Sequence, residues 1–160
     1  LDFRNGPDHH QEATMKRIGM TAFALALVAI GTAAMAAEST SDRIRRAAPK
    51  GITEAFYTCI DKANSDDIEE AACISQEREQ QDRRLNATYQ KLLRKLGSSQ
   101  KKSLVQAERA WLQFRDSSIG FESALYPDET VSNLELAQNE LFFICRRADD
   151  LNRYLLLASE

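Results

Sequence analysis

The sequence predicts an all-α protein, an elongated antiparallel bundle of three long helices plus a short N-terminal helix, and three observations carry that prediction. Apolar residues in the C-terminal half recur alternately three and four positions apart, the spacing that lines one face of a helix. With 6 Gly and 3 Pro in 160 residues, turn residues are too scarce for a sandwich or barrel, which needs a turn roughly every 8–12 residues. The breaks that do occur, at Asn64-Ser65-Asp66, Gly97 and Tyr126-Pro127-Asp128, leave helices roughly 45 Å long at ~1.5 Å per residue. Turns this short make successive helices antiparallel.

The chain opens with segments that stand outside this fold. Met15-Lys16-Arg17 is a short positive start, Ala22 to Ile30 an uncharged apolar run, and Ala34-Met35-Ala36 offers small residues where a signal peptidase reads. Residues 15–36 therefore read as a secretory signal peptide cleaved after Ala36. The apolar run falls short of the ~18 residues a spanning helix needs, so no membrane anchor is expected after cleavage. Residues 1–14 precede Met15 and read as a non-native or over-long leader. The Ser-, Ala- and Arg-rich stretch 37–51 has no lasting apolar period and is expected to be a flexible arm, leaving 52–160 as the helical domain.

Within that domain a short helix is expected from Ile52 to Ala63. Asp66 then caps a second helix reaching Leu96, with Glu69 three residues on as its capping-box partner. Gly97 supplies the stop, and Ser98 or Ser99 caps a third helix running to Leu125. Asp128 caps a fourth that ends near Ser159. The third helix carries the seam Leu104, Ala107, Trp111, Phe114, Ser118, Phe121 and Leu125. The fourth carries Leu134, Ala137, Leu141, Ile144, Ala148, Leu151, Leu155 and Ala158. Both read as bundle core rather than as a membrane-surface face. The second helix shares the seam only in its C-terminal half, through Leu85, Tyr89, Leu92 and Leu96, because Ser75 to Arg84 is almost wholly polar.

Composition narrows function by exclusion. At 43% hydrophobic and 28% charged residues with a net charge of -3, the chain is an ordinary globular protein without the basic field of a nucleic-acid binder. Its two histidines, His9 and His10, both precede the signal peptide, so the mature chain can build neither a Ser-His-Asp nor a Cys-His arrangement, nor the Glu-x-x-His sites of di-iron bundles. Three dispersed cysteines without a Cys-x-x-Cys pair give no reason to expect zinc. No cofactor and no metal are expected.

Cys59 and Cys73 flank the first turn, and export to an oxidising compartment lets a bridge between them persist. Two buried free thiols are the alternative reading. Cys145 has no partner and is expected to be a buried, unreactive thiol.

If the helices alternate up and down, Asp66, Asp67, Glu69 and Glu70 share one end with Glu122, Asp128 and Glu129, while Lys91, Arg94, Lys95, Lys101 and Lys102 collect at the other. Acids at helix N-termini and bases at C-termini are also what the helix dipole favours, at ~0.3–1 kcal/mol each. A concentrated acidic end would in addition steer a basic protein into encounter.

The residues Cys73, Leu85-Asn86, Tyr89, Leu104, Ala107, Arg109-Ala110-Trp111 and Phe114-Arg115-Asp116 together resemble the LprI-type lysozyme inhibitors, a family once catalogued as a domain of unknown function. The resemblance runs from about Cys59 to Leu155. It implies an exported helical domain and, for characterised members, inhibition of lysozyme. Ile119, and on the last helix Glu140, stand where family members often carry further cysteines, so a second bridge is absent. Glu108 replaces the usual Gln before Arg-Ala-Trp.

Among the matching residues, Trp111, Phe114 and Tyr89 lie on seams and are expected in the core. Asn86, Arg115 and Asp116 lie beside the seams and are expected to form an interhelical polar network, since an Arg between helices needs partners to offset its desolvation. The resulting expectation is a periplasmic protein-binding domain, an inhibitor that blocks the lysozyme cleft and is not an enzyme. Its partner site is expected at Asp66, Asp67, Glu122, Tyr126, Pro127, Asp128 and Glu129. One alternative is an immunity or accessory protein for another cell-envelope enzyme. A cell-wall glycan hydrolase is less favoured, since it would need two carboxylates about 5–9.5 Å apart across a cleft, whereas the acids here cluster at turns.

Overall fold

The computed structural model describes residues 38–126 and 130–159. The expected leader, the signal peptide and the turn residues Pro127, Asp128 and Glu129 lie outside them. The described residues form five helices, α1 (Thr40–Ala47), α2 (Glu54–Ala63), α3 (Asp67–Lys95), α4 (Ser98–Leu125) and α5 (Thr130–Leu157).

Helix α1 occupies the segment expected to be a loose arm. It brings little apolar surface, chiefly Ile44 and Ala48, which is why no period marked it. Polar contacts at its surface accompany that packing. The Ser39 hydroxyl accepts from the Asp42 N–H at 3.1 Å, the N-cap bond that such side chains supply. The Arg45 guanidinium makes a bidentate pair with Glu54 at 2.6 and 2.8 Å while lying 3.7 Å over the Tyr57 ring.

Helix α2 ends in the left-handed region, at Asn64 with φ 49 and Ser65 with φ 65, conformations to which a short polar side chain such as Asn is suited. Asp66 then caps α3 by accepting from the Ile68 and Glu69 N–H groups, both at 3.0 Å. The reciprocal half of the expected capping box is replaced: the Asp66 N–H bonds the Ala63 carbonyl at 2.9 Å, so the Glu69 carboxylate is not needed there. Across the turn lies the Cys59–Cys73 disulfide, with a Cα–Cα distance of 5.8 Å. Gly97 is not a left-handed stop. Its φ of -73 makes it the N-cap residue of α4, and its N–H donates to Gln100 Oε1 at 3.0 Å.

The largest interface joins α3 to α5, helices that are not successive. They run parallel, as the pairs Arg78–Glu140, Arg84–Asp149 and Lys95–Ser159 show in order along both. Helix α4 runs antiparallel to α5, matching Glu108 to Arg147 and Glu122 to Asn139. One core cluster joins α2, α3 and α5 around Phe56, Ile60, Cys73, Ile74, Leu141 and Cys145. A second joins α3, α4 and α5 around Leu85, Leu92, Leu104, Ile144, Ala148 and Leu151.

The polar run in α3 has a structural role. Glu77, only 3% exposed, accepts from Thr53 N at 3.0 Å, Thr53 Oγ1 at 2.6 Å and Gln81 Nε2 at 2.7 Å. Gln81 Nε2 also donates to the Gly51 carbonyl at 2.7 Å, and its Oε1 accepts from Arg84 Nε at 2.7 Å. Arg84 pairs with Asp149 at 2.7 Å, whose other oxygen accepts from Gly51 N at 3.2 Å. A Cβ on residue 51 would meet the ends of the Arg84 and Asp149 side chains, so a larger residue there would displace this pair. This network fastens the segment entering α2 to both α3 and α5.

The seam on α5 is buried as expected: Leu141, Ala148 and Leu151 are fully enclosed and Ile144 nearly so. The seam on α4 is not. Leu104 is the residue of α4 that is buried, Trp111 is half-buried, and Phe114, Phe121 and Leu125 are 60%, 65% and 63% exposed. The cause is which face of α4 meets its neighbours. Leu112 lines the groove with Leu85 and Tyr89 of α3, and Phe114, Phe121 and Leu125 lie about half a turn round the helix from Leu112, away from α3, with only Phe114 in edge contact with Phe143 of α5.

Candidate partner-binding surface

The acidic end is built by the α2–α3 turn and the facing ends of α4 and α5. The αL pair at Asn64 and Ser65 reverses the chain and leaves Asp66 and Asp67 exposed at the first turn of α3. Asp67, Ser65 and Glu70 line one side of a groove of about 360 Å³, with Glu135 and Gln138 of α5 opposite and Arg43 of α1 at its rim. Partial burial raises the Glu70 pKa, the Asp67 charge adds to the shift, and Arg43 opposes it.

On the other side, Tyr126 is the C-cap residue of α4 and is half-buried. Desolvation raises its hydroxyl pKa first, and the carboxylates of Glu135 and Glu122 add to the shift. Glu122 accepts from Asn139 Nδ2 at 3.2 Å. Glu135 thus stands between Asp67 and Tyr126. Sequence reasoning passed over it, although an acid in the first turns of the last helix fits the same pattern that singled out Glu69 and Glu70. Of the expected site residues, Asp66, Asp67, Glu122 and Tyr126 fall at this end, and Pro127, Asp128 and Glu129 lie outside the described residues.

The expected interhelical network at Asn86, Arg115 and Asp116 is placed differently. Asn86 donates to the Asp82 carbonyl one turn back in its own helix, at 3.0 Å, and Arg115 pairs with its neighbour Asp116 at 2.8 Å. Arg115 still acts across helices through charge: burial raises the Asp82 pKa, and the cations Arg78 and Arg115 oppose that rise. The ion pair that ties α4 to α5 is Glu108 with Arg147, their side chains 12% and 11% exposed. Arg147 Nε donates to Glu108 Oε1 at 3.0 Å. Two guanidinium groups lie near the Trp111 ring, Arg115 at 5.3 Å and Arg147 at 5.9 Å from its centroid. It lines a groove of about 320 Å³ between α3 and α4 with Leu85, Tyr89 and Leu112. The Glu at position 108, a departure from the resembled pattern, is thus the acceptor for Arg147.

Fold and surface together define a small all-α, disulfide-bonded domain with an acidic end and an incompletely covered fourth helix. Residues 59–151 match the model of the lysozyme inhibitor LprI family, and the chain belongs to that family. The members are inhibitors rather than enzymes. No curated protein and no solved structure matches the chain. No helix among the described residues is long and apolar enough to cross a membrane.

Proposed function

We propose that this protein is a periplasmic inhibitor of lysozyme that blocks the enzyme's substrate cleft. The observation that carries the proposal is the family match across residues 59–151. The signal-peptide pattern of residues 15–36 supports export, and the bridge between Cys59 and Cys73 suits an oxidising compartment.

The partner site is the acidic end: Asp66, Asp67, Glu122 and Tyr126, continued through Pro127, Asp128 and Glu129. Its charges accelerate encounter with a basic enzyme, and the steering weakens as salt shortens the ~10 Å screening length found at 0.1 M. Lysis of cell-wall substrate by lysozyme in the presence of the purified protein tests the activity. Stoichiometric loss of lysis supports it. Full lysis beside folded inhibitor overturns it, as does glycan cleavage by the protein alone. Replacing Asp128 and Glu129 by Asn and Gln is expected to slow association at low salt, whereas Tyr126→Ala is expected to speed dissociation. Unchanged rates in both variants move the site elsewhere.

A further inference from the structure

The open groove between α3 and α4 measures about 320 Å³, within the ~300–1,000 Å³ of small-molecule sites, which helical bundles build between helices. On the α4 side Glu108, Arg109 and Leu112 line it, spaced three and four apart so that they share one side of the helix. Asn86 and Tyr89 line it from α3, and Trp111 joins them. Tyr89 and Trp111 also pack against the second core cluster, so their half-buried rings are held in place where they border the groove.

The polar groups of this groove are largely unspent. Among the described residues the Tyr89 hydroxyl, the Trp111 indole N–H and the exposed Arg109 guanidinium have no hydrogen-bonding partner, and none of these atoms is buried. Asn86 uses Nδ2 on the Asp82 carbonyl, which leaves Oδ1 as an acceptor. Glu108 receives Arg147 on Oε1, which leaves Oε2. The surrounding charges balance: Arg109, Arg115 and Arg147 stand against Asp82, Glu108 and Asp116.

These features select a ligand class. Balanced charge gives no hold on a phosphate or another anion. A hydrocarbon chain would cover the Tyr89, Trp111 and Arg109 donors without bonding them, and each buried donor left unsatisfied is costly. A neutral ring with apolar C–H faces, hydroxyls at its edge and an acetamido group uses every part of the groove. We propose that the α3–α4 groove binds an N-acetylated oligosaccharide. The sugar ring rests against Trp111 and Tyr89, the acetamido methyl meets Leu85 and Leu112, and the amide and hydroxyls bond Arg109, Asn86 Oδ1 and Glu108 Oε2. Binding a glycan is an activity separate from binding lysozyme, and its site is separate from the acidic end.

The chain has a single tryptophan, so its fluorescence reports on this groove directly. The purified protein, without lysozyme, is titrated with chitotetraose, with cellotetraose, which lacks the acetamido groups, and with tetraalanine, a neutral peptide. Calorimetry measures the same affinities without relying on the indole. Arg109→Ala and Tyr89→Phe each remove a groove donor and keep the packing, and Phe121→Ser, an exposed position outside the groove, is the control. Melting temperature checks each fold. Where one groove variant fails to fold, the other decides the outcome.

The expected result is a saturable shift in tryptophan emission with chitotetraose. Affinity is expected to fall about three- to tenfold in each groove variant, the scale of one lost hydrogen bond, and to stay unchanged in Phe121→Ser. No saturable response at millimolar chitotetraose overturns the proposal, as does a response that the groove variants leave intact. Equal binding of cellotetraose overturns the N-acetyl assignment, and preferred binding of tetraalanine gives the groove to a peptide. Lysozyme inhibition is measured separately on the same proteins. Loss of inhibition in the groove variants of a protein that binds no sugar makes the groove part of the enzyme interface and overturns the proposal, whereas sugar binding by a protein that does not inhibit upholds it and overturns the inhibitor reading alone.

Discussion

Helices α4 and α5 are of equal length and carry equally regular apolar seams, yet one is enclosed and the other largely open. On α5, Leu141, Ala148 and Leu151 have no accessible surface, whereas on α4 Phe121 and Leu125 keep about two thirds of theirs. The difference comes from what faces each seam. Helix α5 packs against α3 along its whole length and meets α2 as well. Helix α4 meets α3 through Leu104 and Leu112 and α5 through Glu108, and its Phe121 and Leu125 lie on a side that stays exposed. A seam of threes and fours specifies a face and its direction. It does not specify the surface that covers that face.

The largest expected effect in this comparison belongs to α5. Leu141→Ala removes a fully enclosed side chain and is expected to destabilise by about 2–5 kcal/mol. Phe121→Ala, a larger truncation in the other seam, is expected to change stability by less than about 0.5 kcal/mol, as surface substitutions do. Urea unfolding of both variants measures the contrast, and equal losses would mean that the α4 face is covered after all.

Next in size is the ion pair that holds α4 down. Removing one partner of a buried pair costs about 3–5 kcal/mol. Glu108→Ala is expected to fall below that range, at about 2 kcal/mol, because the groove beside α4 lets water reach Arg147. Glu108→Gln, which keeps an acceptor for Arg147 Nε, is expected to recover part of the loss. A Glu108→Ala protein as stable as the parent would show that Trp111 and the two guanidinium groups near it suffice to seat the helix.

These contrasts also mark how far the sequence was legible. The all-α class, the helix boundaries to within a residue or two, the bridge at Cys59 and Cys73 and the α5 core all follow from periodicity, caps and spacing, which are local properties. Helix α1 did not announce itself, because only Ile44 and Ala48 pack against the core and two apolar residues make no period. The buried Glu77–Gln81–Arg84 network was visible only as an anomaly, a polar run inside a long helix. Its partners Gly51, Thr53 and Asp149 lie far away in sequence. The exposure of Phe114, Phe121 and Leu125 was not legible, because the seam fixes a face of α4 but not the face that meets α3, which holds Leu112 instead. At the acidic end, the N-cap and first-turn acids were legible from helix-dipole reasoning, while Glu135 depended on how α5 meets the groove.

The smallest expected effect tests whether the α3–α5 seam stays closed. Cys145 is fully enclosed, and burial, with the Asp149 charge adding, pushes its thiol up to about 11 against the cations of Arg84. The folded protein therefore keeps a proton that the unfolded chain releases near the ordinary thiol value of about 8.5. Stability contributed by this group is complete below that value and is lost as pH rises from there towards about 11, where both states have lost the proton. Cys145→Ala is expected to flatten that part of the alkaline stability curve while costing little packing volume. At pH 8 the thiol is expected to resist iodoacetamide in the folded protein and to react fully in urea, since the thiolate is the nucleophile and burial withholds it. Labelling of the folded protein at the unfolded rate would show that α5 opens as readily as α4 is exposed, and the contrast between the two helices would then be one of average position rather than of local stability.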